Sequence, residues 1–337
     1  MSTPKVSIVM PTYNRAHLIG ESIQSVLDQT FQDFELIIVD DGSSDDTEAV
    51  VKQFNDPRIR YIYQQNKGQS GATNTGIWNA KGKYIAFLDS DDLWLPELLE
   101  VEVAILEANP EIGLVYAKAQ AMDERGNPKP QIRGAYEKYP NETLKSMLYG
   151  DFSCIQTTLV RRECFESVGL FDETLKGRVD WDMFLRIAKY YRFAHINKIL
   201  AKFRFHPGQK TGPESPVFVE AFESRIKVLD KAFSSADLPE EVLAIRPLAY
   251  RNAYIDVGLH WLSIWRFKEA FSYFWKSIKV SPNPLGTPFR ILYLVLFNNF
   301  LSKTIWGNRL VSKLVELRRR WRGAPSAMNR LLPDDSH

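Results

Sequence analysis

The chain has 337 residues, 45% hydrophobic and 12% aromatic, with a net charge of +2. That length holds one large domain plus a smaller one, and the composition excludes a disordered or fibrous protein. A mean charge near zero argues against a nucleic-acid partner, and Cys154 and Cys164 are too few and wrongly spaced for a disulfide framework or a cysteine metal site, which fits a reducing compartment.

Val6 to Met10 is predicted as a buried first strand. It is too short for the core of a signal peptide, so a cytoplasmic location is expected. Pro11-Thr12-Tyr13-Asn14-Arg15 forms the turn at its carboxyl end. Ile19, Ile23, Val26 and Leu27 recur at helical spacing, and Leu36 to Val39 form the next strand, which ends in Asp40-Asp41-Gly42-Ser43-Ser44-Asp45-Asp46-Thr47. Asp46 or Thr47 is suited to cap a short helix through Gln53. A third strand from Ile59 to Tyr63, a polar loop from Asn66 to Gly71, and a helix to about Ala80 come next. The fourth strand, Tyr84 to Leu88, runs directly into Asp89-Ser90-Asp91-Asp92. Strand alternating with helix at this rhythm predicts an α/β fold with a mostly parallel sheet flanked by helices on both faces.

In such a sheet three strand ends, Thr12/Tyr13, Asp40/Asp41 and Asp89/Asp91, converge on the carboxyl edge, where open α/β sheets bind ligands. Two Asp separated by one residue can aim oxygens at one hard divalent cation and leave places for phosphate oxygens. Taken alone, the pair equally suits a solvated loop that caps the helix beginning near Pro96-Glu97. The convergence of three polar strand ends favours a metal-bridged diphosphate. Neither a G-x-G-x-x-G nor a Walker loop is present, and the acidic loop from Asp40 fails the calcium-loop spacing.

Beyond a helix from about Glu97 to Ala108, the chain predicts a strand from Gly113 through Met122, a hairpin turn at 124–127, a strand from Phe152 to Val160 and a helix from Arg161 to Val168. Asp180 precedes a helix with Trp181, Phe184, Leu185 and Ala188 on one face, and by spacing it is first an N-cap. The stretch from Phe203 to Pro216, which holds Arg204 and His206, reads as a Pro- and Gly-rich loop.

Residues from about 4 to 210 resemble glycosyltransferase family 2, inverting transferases with an A-type nucleotide-sugar fold. The match is carried by Pro11-Thr12-Tyr13-Asn14, Ser25 to Phe31, Glu35 to Thr47, Gly71 to Ile77, Gly82 to Pro96, and Gly169-Leu170-Phe171-Asp172. The resemblance implies a nucleotide-sugar donor, a glycan, polysaccharide or lipid-linked acceptor of the kind used in cell-envelope synthesis, and Mn²⁺ or Mg²⁺ as cofactor. It assigns Pro11, Thr12, Tyr13, Asp40, Asn74, Asp89 and Ser90 to the nucleotide, with Asp40 accepting from a uracil imide. It makes Asp91 and Asp89 the metal ligands and Asp180 the catalytic base. Two positions depart from the pattern: Val179 stands where the family commonly has an acid before the base, and Thr73 where it often has Arg. Lys67, Lys83, Arg204 and His206 are left as phosphate-side candidates.

These features predict a catalytic domain over 1–215, with a nucleotide-sugar part to about 122 and an acceptor-side part over 123–215. A helical region over 216–322 and a loose tail over 323–337 follow. Phe218, Phe222, Ile226, Leu229 and Phe233 form one apolar helical stripe, expected to pack on the catalytic domain. Tyr250 to Pro282 resembles a single tetratricopeptide hairpin, and one copy favours a packed structural element over a peptide-binding module. The tract over 289–322 interleaves Lys303, Arg309, Lys313 and Arg318 with Ile305, Trp306, Leu310 and Leu314; an interfacial membrane helix and a docked helix both fit it. Two other functions compete with glycosyl transfer. A nucleotidyltransferase would need a Gly-rich basic loop after the first strand, which Pro11-Thr12-Tyr13-Asn14 does not offer. A non-catalytic scaffold would have no need of Asp40, Asp89, Asp91 and Asp180 together.

Overall fold

The computed structural model describes residues 3–134, 139, 142–150, 154–206 and 218–296. The tract beyond 296, with the basic residues from Lys303 onward and the tail, and the stretch over 207–217, expected as part of a loop, lie outside these residues. Contacts divide the chain into two compact units, Met1–Val217 and Phe218–His337.

The first unit alternates β1 (Val6–Thr12), α1 (Ile19–Leu27), β2 (Phe34–Asp40), α2 (Thr47–Val51), β3 (Ile59–Tyr63), α3 (Gly68–Asn79) and β4 (Tyr84–Phe87). It continues with β5 (Leu93–Trp94), α4 (Leu98–Ala108), β6 (Ile112–Met122), β7 (Pro128–Arg133) and α5 (Thr143–Tyr149), and ends in β8 (Thr158–Arg161), α6 (Arg162–Val168), α7 (Val179–Ala188) and β9 (Arg192–Arg204). One mixed sheet has the order β3-β2-β1-β4-β8-β6-β9-β5, with β7 paired to β6. Strands β3, β2, β1 and β4 are mutually parallel, β8 runs antiparallel to both β4 and β6, and β9 is parallel to β6.

Strand alternation sends side chains to both faces. Val6, Ile8 and Met10 share one core with Ile19, Ile23 and Val26 of α1 and Leu98, Leu99 and Leu106 of α4. On the other face Ile37 and Val39 meet Ala72 of α3. This helix lies so close to β1 that a Cβ on Gly76 would stand 2.3 Å from Val9 Cγ1.

Several elements differ from the sequence expectation. The strand predicted from Phe152 begins only at Thr158, because a 3₁₀ turn over Ile155–Thr157 precedes it. Asp46 makes no side-chain cap; Asp45 does this work, accepting from Thr47 N at 3.0 Å and from Ala16 N at 3.0 Å. Arg204 does not lie on a loop but ends the 13-residue strand β9. Helix α7 starts one residue before Asp180, capped by Arg178 in the left-handed region at φ 57°, so Asp180 lies inside the first turn and is not the N-cap.

The second unit holds α8 (Phe218–Phe233), α9 (Glu240–Leu243), α10 (Arg246–Ser263), α11 (Phe267–Val280) and α12 (Thr287–Leu296). Helix α8 packs on α10 through Phe222 stacked on His260, Phe233 on Tyr250, and an Arg225–Asp256 ion pair. Helices α10 and α11 form a hairpin in which a Cβ on Gly258 would stand 2.5 Å from the Phe274 ring. Among the described residues no helix is long and apolar enough to cross a membrane.

Candidate active site at the carboxyl edge of the sheet

Parallel pairing sets Thr12 opposite Asp40 and Val9 opposite Phe87, so the turns after β1, β2 and β4 leave the same edge of the sheet. The first two turns are tied together. Asn14, at φ 51°, donates its N–H to Ser43 Oγ at 2.8 Å and accepts from Ser44 N at 2.8 Å, and Arg15 N donates to Thr47 Oγ1 at 3.0 Å. Asn is among the few residues that adopt this conformation readily.

Asp40 is buried and accepts from Ser43 N at 2.7 Å and from the Tyr61 hydroxyl at 2.6 Å. Burial first, then this bond to a carboxylate, pushes the Tyr61 hydroxyl pKa well up, so Tyr61 keeps its proton and donates it. Each Asp40 oxygen retains a lone pair for a further donor. Beside it Thr12 Oγ1 is buried without a hydrogen-bond partner, in a residue only 3% exposed. A native protein seldom leaves such a group unmet except where a ligand or water completes it. Pro11 precedes Thr12 on the strand, and Tyr13 is half exposed at the edge.

One carboxylate oxygen from each of Asp89, Asp91 and Asp92 lies within 4.8 Å of the others, and buried Ser90 sits between them in the turn. The three acids have different surroundings. Asp89 accepts from Gln69 Nε2 at 3.0 Å. Asp91 Oδ2 stands 2.8 Å from His206 Nε2 and 3.6 Å from Arg15 Nε. Asp92 is buried and both its oxygens are engaged, by Arg204 N at 2.8 Å and Gln156 Nε2 at 3.0 Å; burial, with the charges of Asp91 and Asp89, holds its carboxyl well above the usual range. Asp92 therefore braces the turn, while Asp89 and Asp91 offer the hard oxygens that Mn²⁺ or Mg²⁺ takes.

Arg204 is the other brace. Its side chain is 1% exposed and donates to Asp91 O at 3.0 Å, Glu124 O at 2.9 Å and Glu21 Oε2 at 2.6 Å. Expected beside phosphate, it instead fastens the acidic turn to α1 and to the β6–β7 hairpin. Two residues on, His206 is thereby set against Asp91. Lys83 precedes the amino end of β4, opposite the acids, and pairs with Glu107 at 2.9 Å, so it is not at the phosphate edge. Asn74 is also turned inward: its amide donates to Phe171 O at 3.0 Å and Glu173 Oε1 at 2.8 Å and accepts from Phe171 N at 2.9 Å, which pins the 171–173 turn to α3. Lys67 is exposed at the start of α3, its N–H given to Asp41 at 2.8 Å.

Asp180 is partly exposed and its Oδ1 accepts from Trp181 N at 2.9 Å. The neighbouring Trp181 is fully buried and donates Nε1–H to Met147 O at 2.9 Å, which fixes the first turn of α7. Asp182 is committed to Arg186, whose Nη2 stands 3.0 Å away. Arg15, Gln69, Tyr61 and Gln156 were not predicted as site residues; Arg15 follows the Pro-Thr-Tyr-Asn signature and could have been suspected, whereas the other three have no local signal.

The family model for Glycosyl transferase family 2 matches residues 7–169. An uncharacterized glycosyltransferase of Rickettsia prowazekii is 37% identical over 218 residues, 62% of this chain and 66% of that protein. One of Methanocaldococcus jannaschii is 33% identical over 210 residues, 60% of this chain and 72% of that protein. The Escherichia coli protein named UDP-Glc:alpha-D-GlcNAc-diphosphoundecaprenol beta-1,3-glucosyltransferase is 47% identical over 105 residues, 31% of this chain and 42% of its own length. Two further Rickettsia relatives are spanned over only 39% and 34% of their length. Among solved structures, Staphylococcus aureus TarS 1-349 in complex with UDP-GlcNAc superposes with a TM-score of 0.63 at 22% identity, covering 87% of this chain and 84% of that one. A sheet edge with this arrangement of acids, a matching family model and a relative covered over most of its length together establish that the chain belongs to glycosyl transferase family 2.

Proposed function

We propose that this protein transfers a sugar from a uridine-diphospho-sugar to a hydroxyl of a glycan or lipid-linked acceptor, with inversion and dependence on Mn²⁺ or Mg²⁺. The observation that carries the reading is the juxtaposition of Asp89 and Asp91 with a buried, unpartnered Thr12 Oγ1 and a buried Asp40 on one sheet edge. The names of the Escherichia coli relative and of the TarS complex support a UDP-linked donor, and the former supports a lipid-linked acceptor. The catalytic part is assigned to residues 1–215. Its buried free thiols, Cys154 and Cys164, suit the cytoplasm.

Asp40 accepts the imide N–H of the base, while Thr12 and Tyr13 meet base and ribose. Asp89 and Asp91 would hold the cation, with His206 orienting Asp91 or joining it as a ligand. A divalent ion there would supply Lewis-acid stabilisation of the departing diphosphate. Arg15 and Lys67 stand at the same edge as cations for the phosphates. Asp180 takes the proton of the acceptor hydroxyl as that oxygen attacks the anomeric carbon, from the face opposite the leaving group, so one displacement inverts the centre. The test is a screen of nucleotide sugars scored by release of nucleoside diphosphate, with and without Mn²⁺. Release from a UDP-sugar only when metal is added supports the reading; equal release with chelator removes the metal from it.

A further inference from the structure

The second unit exposes an apolar surface that its own core does not use. On α11, Ala270, Phe274 and Ser277 are buried, and at 100° per residue Phe267, Phe271 and Trp275 extend that arc to one side, where they are exposed. On α12, which packs on α11, Ile291 is buried while Phe289, Leu292 and Leu296 are exposed. Trp265 and Leu285, in the turns before these helices, are 78% and 84% exposed. Isolated exposed hydrophobics are ordinary, but eight of the fourteen large ones among the described residues fall between 265 and 296.

The charge on this stretch selects the occupant. It carries Arg266, Lys268, Lys276, Lys279 and Arg290 against one acid, Glu269, which Arg266 already pairs. Lys279 Nζ lies 5.5 Å from the Trp275 ring centre, and at 100° per residue exposed Lys268 falls beside it, so cationic heads border the aromatic face. A second copy would press two surfaces of the same sign together. The chain beyond 296, with Lys303, Arg309 and Lys313, would do the same. We infer that the exposed face of α11 and α12 docks on a membrane surface rich in anionic lipid, its aromatic rings entering the headgroup layer and its lysines meeting lipid phosphates. The inference is independent of the glycosyl-transfer reading.

Flotation of the full chain with phosphatidylcholine vesicles, with and without phosphatidylglycerol, tests it. The intact protein should float only with phosphatidylglycerol present, and less as salt rises. The Phe271→Ser, Trp275→Ser pair should weaken binding by about tenfold or more, since burial of aromatic area supplies much of an interfacial helix's affinity. The Lys268→Glu, Lys279→Glu pair should abolish the preference for phosphatidylglycerol. All four side chains lie outside the core, so far-UV circular dichroism should be unchanged; if the aromatic pair misfolds, the charge reversal decides. A full chain that ignores phosphatidylglycerol vesicles at low salt overturns the inference. So does binding unaltered in either pair, which assigns it to the chain beyond 296, or a wild-type dimer that the aromatic pair dissolves, which assigns the face to a second copy.

Discussion

Replacing Asp180 by Asn separates a chemical role from a structural one, because the two carry different magnitudes here. Asp180 occupies the first turn of α7 and accepts one backbone hydrogen bond from Trp181. An Asn oxygen can accept the same bond, so what is lost is one negative charge at a helix N-terminus, about 0.3–1 kcal/mol. For a unit of this size that shifts the thermal midpoint by only about 1–4 °C. If the carboxylate takes the acceptor's proton, turnover falls by about 10²-fold or more, equivalent to about 2.7 kcal/mol of barrier. UDP affinity in Mn²⁺ should be retained, since Asp180 is not assigned to the donor. The assay is product formation with a working donor–acceptor pair, alongside calorimetry with UDP and a melting curve. A variant that melts and binds UDP normally and turns over within about threefold of wild type would refute the base assignment. Asp182→Asn supplies the contrast: it removes the negative charge that pairs Arg186, while Arg186 keeps its bonds to Val168 O and Leu170 O, so stability should fall by about 1–3 kcal/mol.

Asp91→Asn should abolish transfer and remove the gain in UDP affinity that Mn²⁺ gives, read by calorimetry with and without metal; equal affinities in the wild type would contradict it. Arg204→Met leaves Asp91 O and Glu124 O without their buried donor, so it should cost about 2–4 kcal/mol in denaturant unfolding, and weaker Mn²⁺ binding should accompany the loosened turn. Gly76→Ala drives a methyl into Val9 of β1 and should destabilise by about 1–3 kcal/mol, seen as a lower melting temperature. Glu102 is fully buried on α4 with neither oxygen hydrogen-bonded, and burial raises its pKa well above 4.5. The folded state therefore holds the proton more tightly than the unfolded chain; this stabilisation is complete below about pH 4.5 and is lost as pH climbs toward the raised folded value. Glu102→Met should flatten that decline and raise stability at pH 7 by about 1–3 kcal/mol, and unfolding curves across pH that match the wild type would contradict this.

The parallel half of the sheet and the acids at its edge were legible because their signals are local. Val6–Met10, Leu36–Val39 and Tyr84–Leu88 are short apolar runs that end in polar residues within a few positions. Strand β9 was not legible: Arg192 to Arg204 mixes exposed Asn197 and Lys198 with buried Leu200 and Phe203, and its partner β6, paired with shifts in register, is some eighty residues earlier. The roles of Asn74 and Arg204 were missed for the same reason. Asn74 meets Phe171 97 positions away, and Arg204 meets Asp91 113 positions away. A motif shows that a side chain is present but not whether a distant carbonyl has already claimed it. The shift of Asp180 from cap to first turn came from Arg178 adopting a left-handed conformation, which Gly177 beside it gave no reason to expect.

The sheet order has a consequence for synthesis on the ribosome. Strand β6 finds its long parallel partner only in β9, from Ile112 opposite Arg192 to Met122 opposite Arg204. At about 5–20 residues per second, the nascent chain needs about 4–16 s to pass from Met122 to Arg204, and throughout that time one edge of β6 is bare. A long apolar edge is a template for pairing with another chain. Chains truncated near 122, or at the end of the family match at 169, make that interval permanent, and they should appear in inclusion bodies rather than as a free-standing half.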